Sequence, residues 1–395
     1  MTDEIEVERG TPLEVFWAFL KLGLTSFGGP IAHLGYFRDE LVVRRRWIDE
    51  AGYADLVALC QFLPGPASSQ VGFALGLRRA GQLGALAAWT GFTLPSAVLL
   101  VLFAYGAAAL DGPLAQGVLH GLKLVAVAVV AQAVLGMARS LTPDRERAAI
   151  AVLAVFLVVL GGGALGQLGA IVFGIVAGLI LLRRDDEPKA DQPFFPISST
   201  LGLIALALFV VLLAGLPLLA GAGQGVALFD AFYRAGSLVF GGGHVMLPLL
   251  EAETVLRGWV SPDAFLAGYG ATQAVPGPLF TFAAYLGAVS NGLPGAAIAL
   301  VGIFLPGLLI LLAALPFWNR LRRWSGAQAA MRGANAAVVG ILGVALYDPV
   351  FTSAVLTPLD FALALAGFVA LVSWKVAPWM VVVGLGLAGA LIGLV

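Results

Sequence analysis

Thirteen stretches of this chain are apolar enough to be buried in lipid, and they leave no room for a soluble domain. They run over 12–28, 53–77, 84–110, 116–138, 148–162, 165–182, 200–220, 226–242, 262–290, 294–316, 328–347, 355–373 and 377–395. A helix needs about 20 mostly apolar residues to cross a hydrocarbon core of about 30 Å; only 148–162 is short of that. Charged residues make up 11% of the chain, against about 25% in a soluble globular protein. That deficit excludes a soluble enzyme and a disordered chain. It also excludes a nucleic-acid binder, which needs a basic surface. The sequence therefore predicts an all-α polytopic membrane protein. Its 51 glycines and 21 prolines then point to close helix packing and broken helices rather than to loops. The runs 53–77 and 262–290 are interrupted by proline and read either as broken helices or as paired half-helices.

Polar residues set the orientation. The N-terminus carries Asp3, Glu4, Glu6 and Glu8 against Arg9 alone, which is not a secretory signal. The stretch 183–199, from Arg183 through Lys189 and Asp191, reads as a cytoplasmic linker between 12–182 and 226–395, with 200–220 as an extra helix. Alternating thirteen spans from an inside N-terminus puts fourteen basic residues inside and four outside, as the positive-inside rule favours. The exceptions are Arg38, Arg44, Arg45 and Arg46. Either this segment violates the rule, or 12–46 dips in and returns as a re-entrant hairpin. The cytoplasmic, inner membrane is the expected location.

The two halves repeat one another. Phe19, Lys21, Gly23, Phe27, Gly28 and Gly29 fall on Phe232, Arg234, Gly236, Phe240, Gly241 and Gly242 at an offset of 213. Glu40 and Arg44 fall on Glu253 and Arg257 at that same offset. Gln61 and Pro64-Gly65-Pro66 match Gln273 and Pro276-Gly277-Pro278 at 212; Gly81, Gly84, Gly91 and Pro95 match Gly292, Gly295, Gly302 and Pro306 at 211. A slowly drifting offset is the mark of a diverged duplication. Seven candidate spans precede the second copy, an odd number, so the copies are expected to insert upside-down relative to one another. The helix at 200–220 is then the topological adapter. Inverted repeats of this kind build many secondary transporters, with the site near the midplane where broken helices meet.

Taken together, Phe27-Gly28-Gly29-Pro30-x-x-His33, Phe240-Gly241-Gly242-Gly243-His244 and the two Pro-Gly-Pro elements resemble the chromate ion transporter family, in its long two-domain form. The resemblance covers about residues 12–395. It implies export of chromate, with sulfate as the isosteric competitor, driven by membrane potential, proton or anion exchange.

Candidate anion ligands follow from the same residues. Lys21 lies roughly 14 Å into its run at 1.5 Å per residue, and its i−4 and i+4 neighbours, Trp17 and Thr25, carry no charge. A buried ammonium at that depth costs about 3 kcal/mol or more on insertion scales. Lys21 and its repeat mate Arg234 could clamp a dianion, Lys as a point charge and Arg through its fork. Alternatively, Lys21 pairs with Glu14 or another acid for packing, and Arg234 with Asp230 at i−4. Gly28, Gly29 and Pro30, like Gly241, Gly242 and Gly243, can end one half-helix and start another, whose free N–H groups suit an anion. Tight helix packing through small residues is the other reading. Pro64-Gly65-Pro66 and Pro276-Gly277-Pro278 break their helices. Beside them Gln61, Ser68, Ser69, Gln273 and Thr281 are candidate site-lining side chains.

His33 and His244 are proton-relay candidates or structural histidines. Glu40 and Glu253 could gate, couple to protons or cap helices. His120 and Lys123 match Arg332 and Asn335 and could form a second polar layer or an entrance. Asp348-Pro349 reads as a helix terminator. No metal or cofactor is expected: Cys60 is the single cysteine, and the three histidines lack acids at ligand spacing. No nucleophile–base pair or HExxH motif supports an enzyme. An oxyanion transporter is the first expectation and an anion channel the second. The expected partners are the oxyanion and the bilayer, with a homodimer left open.

Overall fold

The computed structural model describes residues 10–109, 112–183, 197–321 and 323–394. Most of the expected linker and the acidic N-terminus lie outside the described residues. Among the described residues the protein is all helical, 85% helix with no strand.

The first copy contains α1 (Pro12–Thr25), α2 (Gly29–Phe37, prolonged by a π-helix over Arg38–Arg44), α3 (Glu50–Phe62), α4 (Ala67–Ala109), α5 (Pro113–Leu141), α6 (Arg145–Gly161) and α7 (Gly163–Leu181). Helix α8 (Ser199–Leu219) follows. The second copy contains α9 (Gln224–Ser237), α10 (Met246–Thr254), α11 (Pro262–Thr272), α12 (Phe282–Ala314), two single turns α13 (Trp318–Leu321) and α15 (Thr352–Ala354), and the helices α14 (Ser325–Ala345), α16 (Pro358–Val372) and α17 (Pro378–Ile392). A short 3-10 turn, Gly243–Val245, leads into α10, and another, Leu279–Thr281, into α12.

Five helical stretches have the length and apolarity to cross a bilayer: Ala67–Ala108, Pro113–Leu141, Ser199–Ala222, Leu279–Leu321 and Ser325–Ala354. Leu165–Leu181, Pro358–Val372 and Pro378–Ile392 are shorter apolar helices. Two of the long stretches fold back on themselves, and a third, Ser325–Ala354, leaves helical geometry at Asp348 before Pro349. Helix α4 leaves helical geometry at Ala80 (φ −141°, ψ 27°) and Gly81 (φ 66°, ψ −157°). Helix α12 does so at Asn291 (φ −152°, ψ 34°) and Gly292 (φ 61°, ψ −157°). Beyond each break the helix folds back. A Cβ on Gly76 would lie 2.8 Å from Ala88 Cβ, and one on Gly287 would lie 2.8 Å from Ala299 Cβ. Twelve residues of straight helix would hold such pairs about 18 Å apart.

The proline-interrupted runs resolve into paired half-helices. In the second copy, α11 packs antiparallel on the first leg of α12: Tyr285 Oη donates to the Ala264 carbonyl at 2.9 Å, and Phe265 meets Phe282 at 5.2 Å between ring centroids. Pro276-Gly277-Pro278 is the tip of that hairpin. In the first copy Arg79, at the end of the first leg of α4, lies over Trp47, just before α3, at 5.5 Å. The two ends of that hairpin therefore also lie together, with Pro64-Gly65-Pro66 at its tip.

The segment 12–46 is a hairpin too. Thr11 caps α1, its Oγ1 accepting from Glu14 N–H, and Pro12 stands in the first turn. At 14 residues α1 is about 21 Å long, too short to cross. After Gly28 (φ 98°) and Gly29 (φ 81°) the chain returns, pairing Phe19 with Phe37 at 5.4 Å and Lys21 with Glu40 at 2.8 Å. Gly10 N–H bonds the Arg79 carbonyl, and Glu14 pairs with Arg79 at 3.1 Å. So Arg44 to Arg46 come back to the end at which the chain enters. The segment 12–46 thus folds back on itself, the geometry that the re-entrant alternative requires.

The copies interlock. Helix α5 packs against α16 and α17 of the second copy, while α14, its repeat mate, packs against α6 and α7 of the first. Matched glycines make the crossings close: a Cβ on Gly121 would collide with the Leu385 carbonyl, and one on Gly333 with that of Gly174. The second legs of α4 and α12 lie side by side and antiparallel. Trp89 meets Phe304 at 5.7 Å, whereas Tyr105, sixteen residues further on, reaches Gly292 near the turn of α12.

Candidate functional site

Four hairpin tips converge where the copies meet. Gly65 N–H donates to the Val239 carbonyl at 2.8 Å, and Gly277 N–H donates to the Ser26 carbonyl at 2.9 Å. Each Pro-Gly-Pro tip is thus bonded to the end of the first helix of the other copy. Glycine is required at both tips: φ is 115° at Gly65 and 102° at Gly277. A Cβ on Gly65 would stand 2.9 Å from Gly307 Cα, and one on Gly277 would stand 2.9 Å from Ser96 Oγ. Pro30 and Gly243, at the other pair of tips, also adjoin, a Cβ on Gly243 lying 3.6 Å from Pro30 Cγ. Each return arm begins at its tip, so its positive dipole end faces the centre.

Around the Ser26–Gly277 bond lies a group of buried polar side chains. His33 stands edge-on to Phe92 at 5.3 Å, and its Nδ1 is 3.4 Å from Ser68 Oγ. Ser96 Oγ donates to the Thr93 carbonyl. Ser26 Oγ, His33 Nε2, Ser69 Oγ, Gln70 Oε1 and Thr93 Oγ1 are buried without a hydrogen-bond partner. Leaving one such group unsatisfied costs about 1–3 kcal/mol. His33 and Thr93 adjoin the Gly277 tip through Phe92 and Ser96, whereas Gln70 lies at the Gly65 tip. Unpartnered polar atoms therefore flank both tips and favour a polar ligand or water there.

Several expected ligands are otherwise engaged. Thr281 Oγ1 donates to the Pro278 carbonyl at 2.7 Å, which spends its proton locally. Gln273 Nε2 turns back to the Tyr269 carbonyl at 3.4 Å, whereas Gln61 is exposed. His244 Nδ1 and Tyr269 Oη are 2.6 Å apart. Asn335 Oδ1 is buried without a partner, and a Cβ on Gly241 would come within 3.5 Å of it.

The two cations are each held inside their own hairpin. Lys21 Nζ bonds Glu40 Oε2 at 2.8 Å, and Arg45 and Arg44 reach the same carboxylate at 2.9 and 3.4 Å. Arg234 bonds Asp230 and Glu253, both at 2.9 Å, and Arg257 bonds Glu253 at 2.8 Å. Lys21 and Arg234 therefore do not need a passenger to offset their charge, and Glu14 is not the partner of Lys21. Glu40 and Glu253, read as flanking gates or caps, are the counter-charges. Their common spacing of 19 residues from Lys21 and Arg234 was the available signal. In the first copy three cations surround one carboxylate, which leaves that flank positive.

Lys123 and His120 stand apart from the tips. Lys123 bonds Asp263 at 2.8 Å, and His120 Nε2 bonds Asp360 at 2.7 Å. Arg332 bonds Gln328 and the Leu182 carbonyl. Sequence reasoning missed Gln70, whose Nε2 bridges the Pro64 and Gly307 carbonyls at 3.0 and 2.8 Å, tying a tip of one copy to a leg of the other. Its repeat mate is Phe282, so the duplication concealed it. Ser26 and Thr93 were missed likewise, matching Val239 and Phe304.

The family model described as "Chromate transporter" matches residues 13–182 and 226–390, once over each half. The chain belongs to the chromate transporter family. It is similar to a chromate transport protein of Pseudomonas aeruginosa, 31% identical over 402 residues, covering 96% of this chain and 92% of that one. A probable chromate transport protein of Synechococcus elongatus is 30% identical over 370 residues, covering 90% and 88%. A chromate transport protein of Cupriavidus metallidurans is 26% identical over 333 residues, covering 82% and 79%. No solved structure matches the chain. Family membership, with the apolar helices, makes this a multi-pass membrane protein with a role in chromate transport. The breaks that carried the resemblance are the four tips.

Proposed function

We propose that the protein exports chromate across the cytoplasmic membrane as a secondary transporter. Its alternating-access unit is two inverted repeats, 12–182 and 226–395, with 200–220 as adapter and 183–199 as cytoplasmic linker. The observation that carries this reading is the reciprocal pair of tip bonds, Gly65 to Val239 and Gly277 to Ser26. A site made by both copies at one point is one that rocking of either copy can expose to either side.

The hairpin geometry supports inversion. If the four hairpins re-enter, the second leg of α4, then α5, α6, α7 and α8, make five crossings before the second copy. Five is odd, as seven was, so the copies still insert oppositely, and the antiparallel second legs agree. Arms of about 20 Å from each end meet near the centre of a membrane about 40–45 Å thick with its headgroups. On this topology Arg44, Arg45, Arg46, Arg78, Arg79, Arg139, Arg145 and Arg147 share the N-terminal side. Arg257 lies on the other. The positive-inside rule then makes the N-terminal side cytoplasmic.

The oxyanion would be met by the hydroxyls of Ser26, Ser69 and Thr93, by His33, and by the N-terminal ends of the return arms. Lys21, with Arg44 and Arg45 around the single Glu40 carboxylate, supplies positive field from its flank, whereas Arg234 and Arg257 are balanced by Asp230 and Glu253 and hold their hairpin together. Sulfate has the same shape and charge as chromate and competes for these donors. The test is flux of labelled sulfate and chromate into vesicles, with pH gradient and voltage varied independently. Saturable flux with mutual competition supports a transporter; unsaturable conductance would make it an anion channel.

A further inference from the structure

A second polar space lies away from the tips. It is a cavity of about 550 Å³ at the end of the second leg of α4, between the starts of α5 and α11. At about 30 Å³ per water it holds a hydrated oxyanion with room to spare. Gln116, His120, Lys123, Ser261, Asp263 and Tyr285 supply its polar lining.

The ion pair on its wall is lopsided. The Lys123 side chain is 11% exposed, but that of Asp263 is 75% exposed. Lys123 is fixed on the long helix α5, while Asp263 sits in the first turn of α11. A solvated carboxylate gains little from such a pair, about 0–1 kcal/mol, whereas a buried ammonium without a counter-charge is costly. Asp263 can therefore leave for water once another anion takes its place on Lys123. By contrast the Asp360 that holds His120 is buried and accepts from Leu356 N, Thr357 N and Thr357 Oγ1. It is fixed by its own helix cap.

We propose that this cavity is a second oxyanion site, at the extracytoplasmic mouth, where the anion displaces Asp263 from Lys123. The ligand class rests on the oxyanion reading above; the site itself rests on the cavity and the lopsided pair. Asp263 acts as a resident surrogate for the anion: it neutralises Lys123 when the mouth is empty and yields to a dianion.

The test is thiol labelling of the full-length Asp263→Cys protein in vesicles with a membrane-impermeant maleimide. The natural Cys60 is fully buried and serves as the internal background. Sulfate is expected to slow labelling several-fold relative to chloride at equal ionic strength. Adding Lys123→Gln is expected to abolish that protection, and Lys123→Arg to keep it. Equal labelling with and without sulfate, or protection that survives Lys123→Gln, overturns the proposal. The same measurement with Ser26→Ala and Ser69→Ala added, which removes two hydroxyls from the central site and little volume, separates the two readings. Protection retained while flux is lost supports a site at the mouth. Protection lost together with flux overturns it.

Discussion

Gly65 in one half of the chain hands its backbone N–H to the carbonyl of Val239 in the other, at 2.8 Å. Gly277 and Ser26 repeat the contact with the halves exchanged. A side chain at Gly65 meets both a left-handed φ of 115° and the backbone of Gly307. Gly65→Ala is expected to destabilise the protein by about 1–3 kcal/mol through strain alone, with further loss from the collision. Thermal unfolding in detergent measures it; a wild-type midpoint would show that the tips do not meet as described.

The fold-back turns give a cleaner backbone test. A Cβ on Gly81 would have no atom within 4 Å, yet its φ and ψ of 66° and −157° are those of glycine. Gly81→Ala is expected to cost about 1–3 kcal/mol with no steric contribution. Gly292→Ala, in the matching turn, should cost a similar amount. The two turns are distant, so the double variant should show the summed loss. An unchanged unfolding midpoint for Gly81→Ala contradicts the turn.

The paired cations predict coupling within a copy and not between copies. A double-mutant cycle on Lys21→Ala and Glu40→Gln should give about 0.5–3 kcal/mol, as should one on Arg234→Ala and Glu253→Gln. A cycle on Lys21→Ala and Arg234→Ala should give a value near zero. Strong coupling in that last cycle would restore the two-cation clamp.

Re-entry predicts sidedness. Arg45→Cys and Arg79→Cys should react with an impermeant thiol reagent from the same face of oriented vesicles, and Arg257→Cys from the opposite face. Arg45 and Arg79 reacting from opposite faces would mean that the first hairpin crosses.

Much of this organisation was legible in the residues. Phe-Gly-Gly and Pro-Gly-Pro are strong signals because glycine and proline act through the backbone, so the tips could be placed without knowing their neighbours. Matched Gly81 and Gly292 likewise mark matched turns. Hydropathy alone does not separate the alternatives at 12–28, 53–77 and 262–290, because an apolar arm that folds back has the composition of one that crosses; the paired half-helices there are read from the prolines and glycines. Helical spacing shows no acid at i−4 or i+4 of Lys21 and leaves its partner unnamed, because Glu40 comes from the other arm of the hairpin. Gln70, Ser26 and Thr93 have apolar repeat mates. Where the copies have diverged, the repeat hides a site residue instead of marking it.

The central claim is that the oxyanion binds where the tips of both copies meet, and substrate flux in the absence of the buried hydroxyls tests it most directly. Ser26→Ala with Ser69→Ala removes two unpartnered polar atoms and little volume, so the protein should remain folded and gain stability if anything. Uptake of labelled sulfate and chromate into vesicles should fall at least tenfold for both anions in this double variant. Flux at the wild-type rate, from protein with an undiminished unfolding midpoint, would contradict the account.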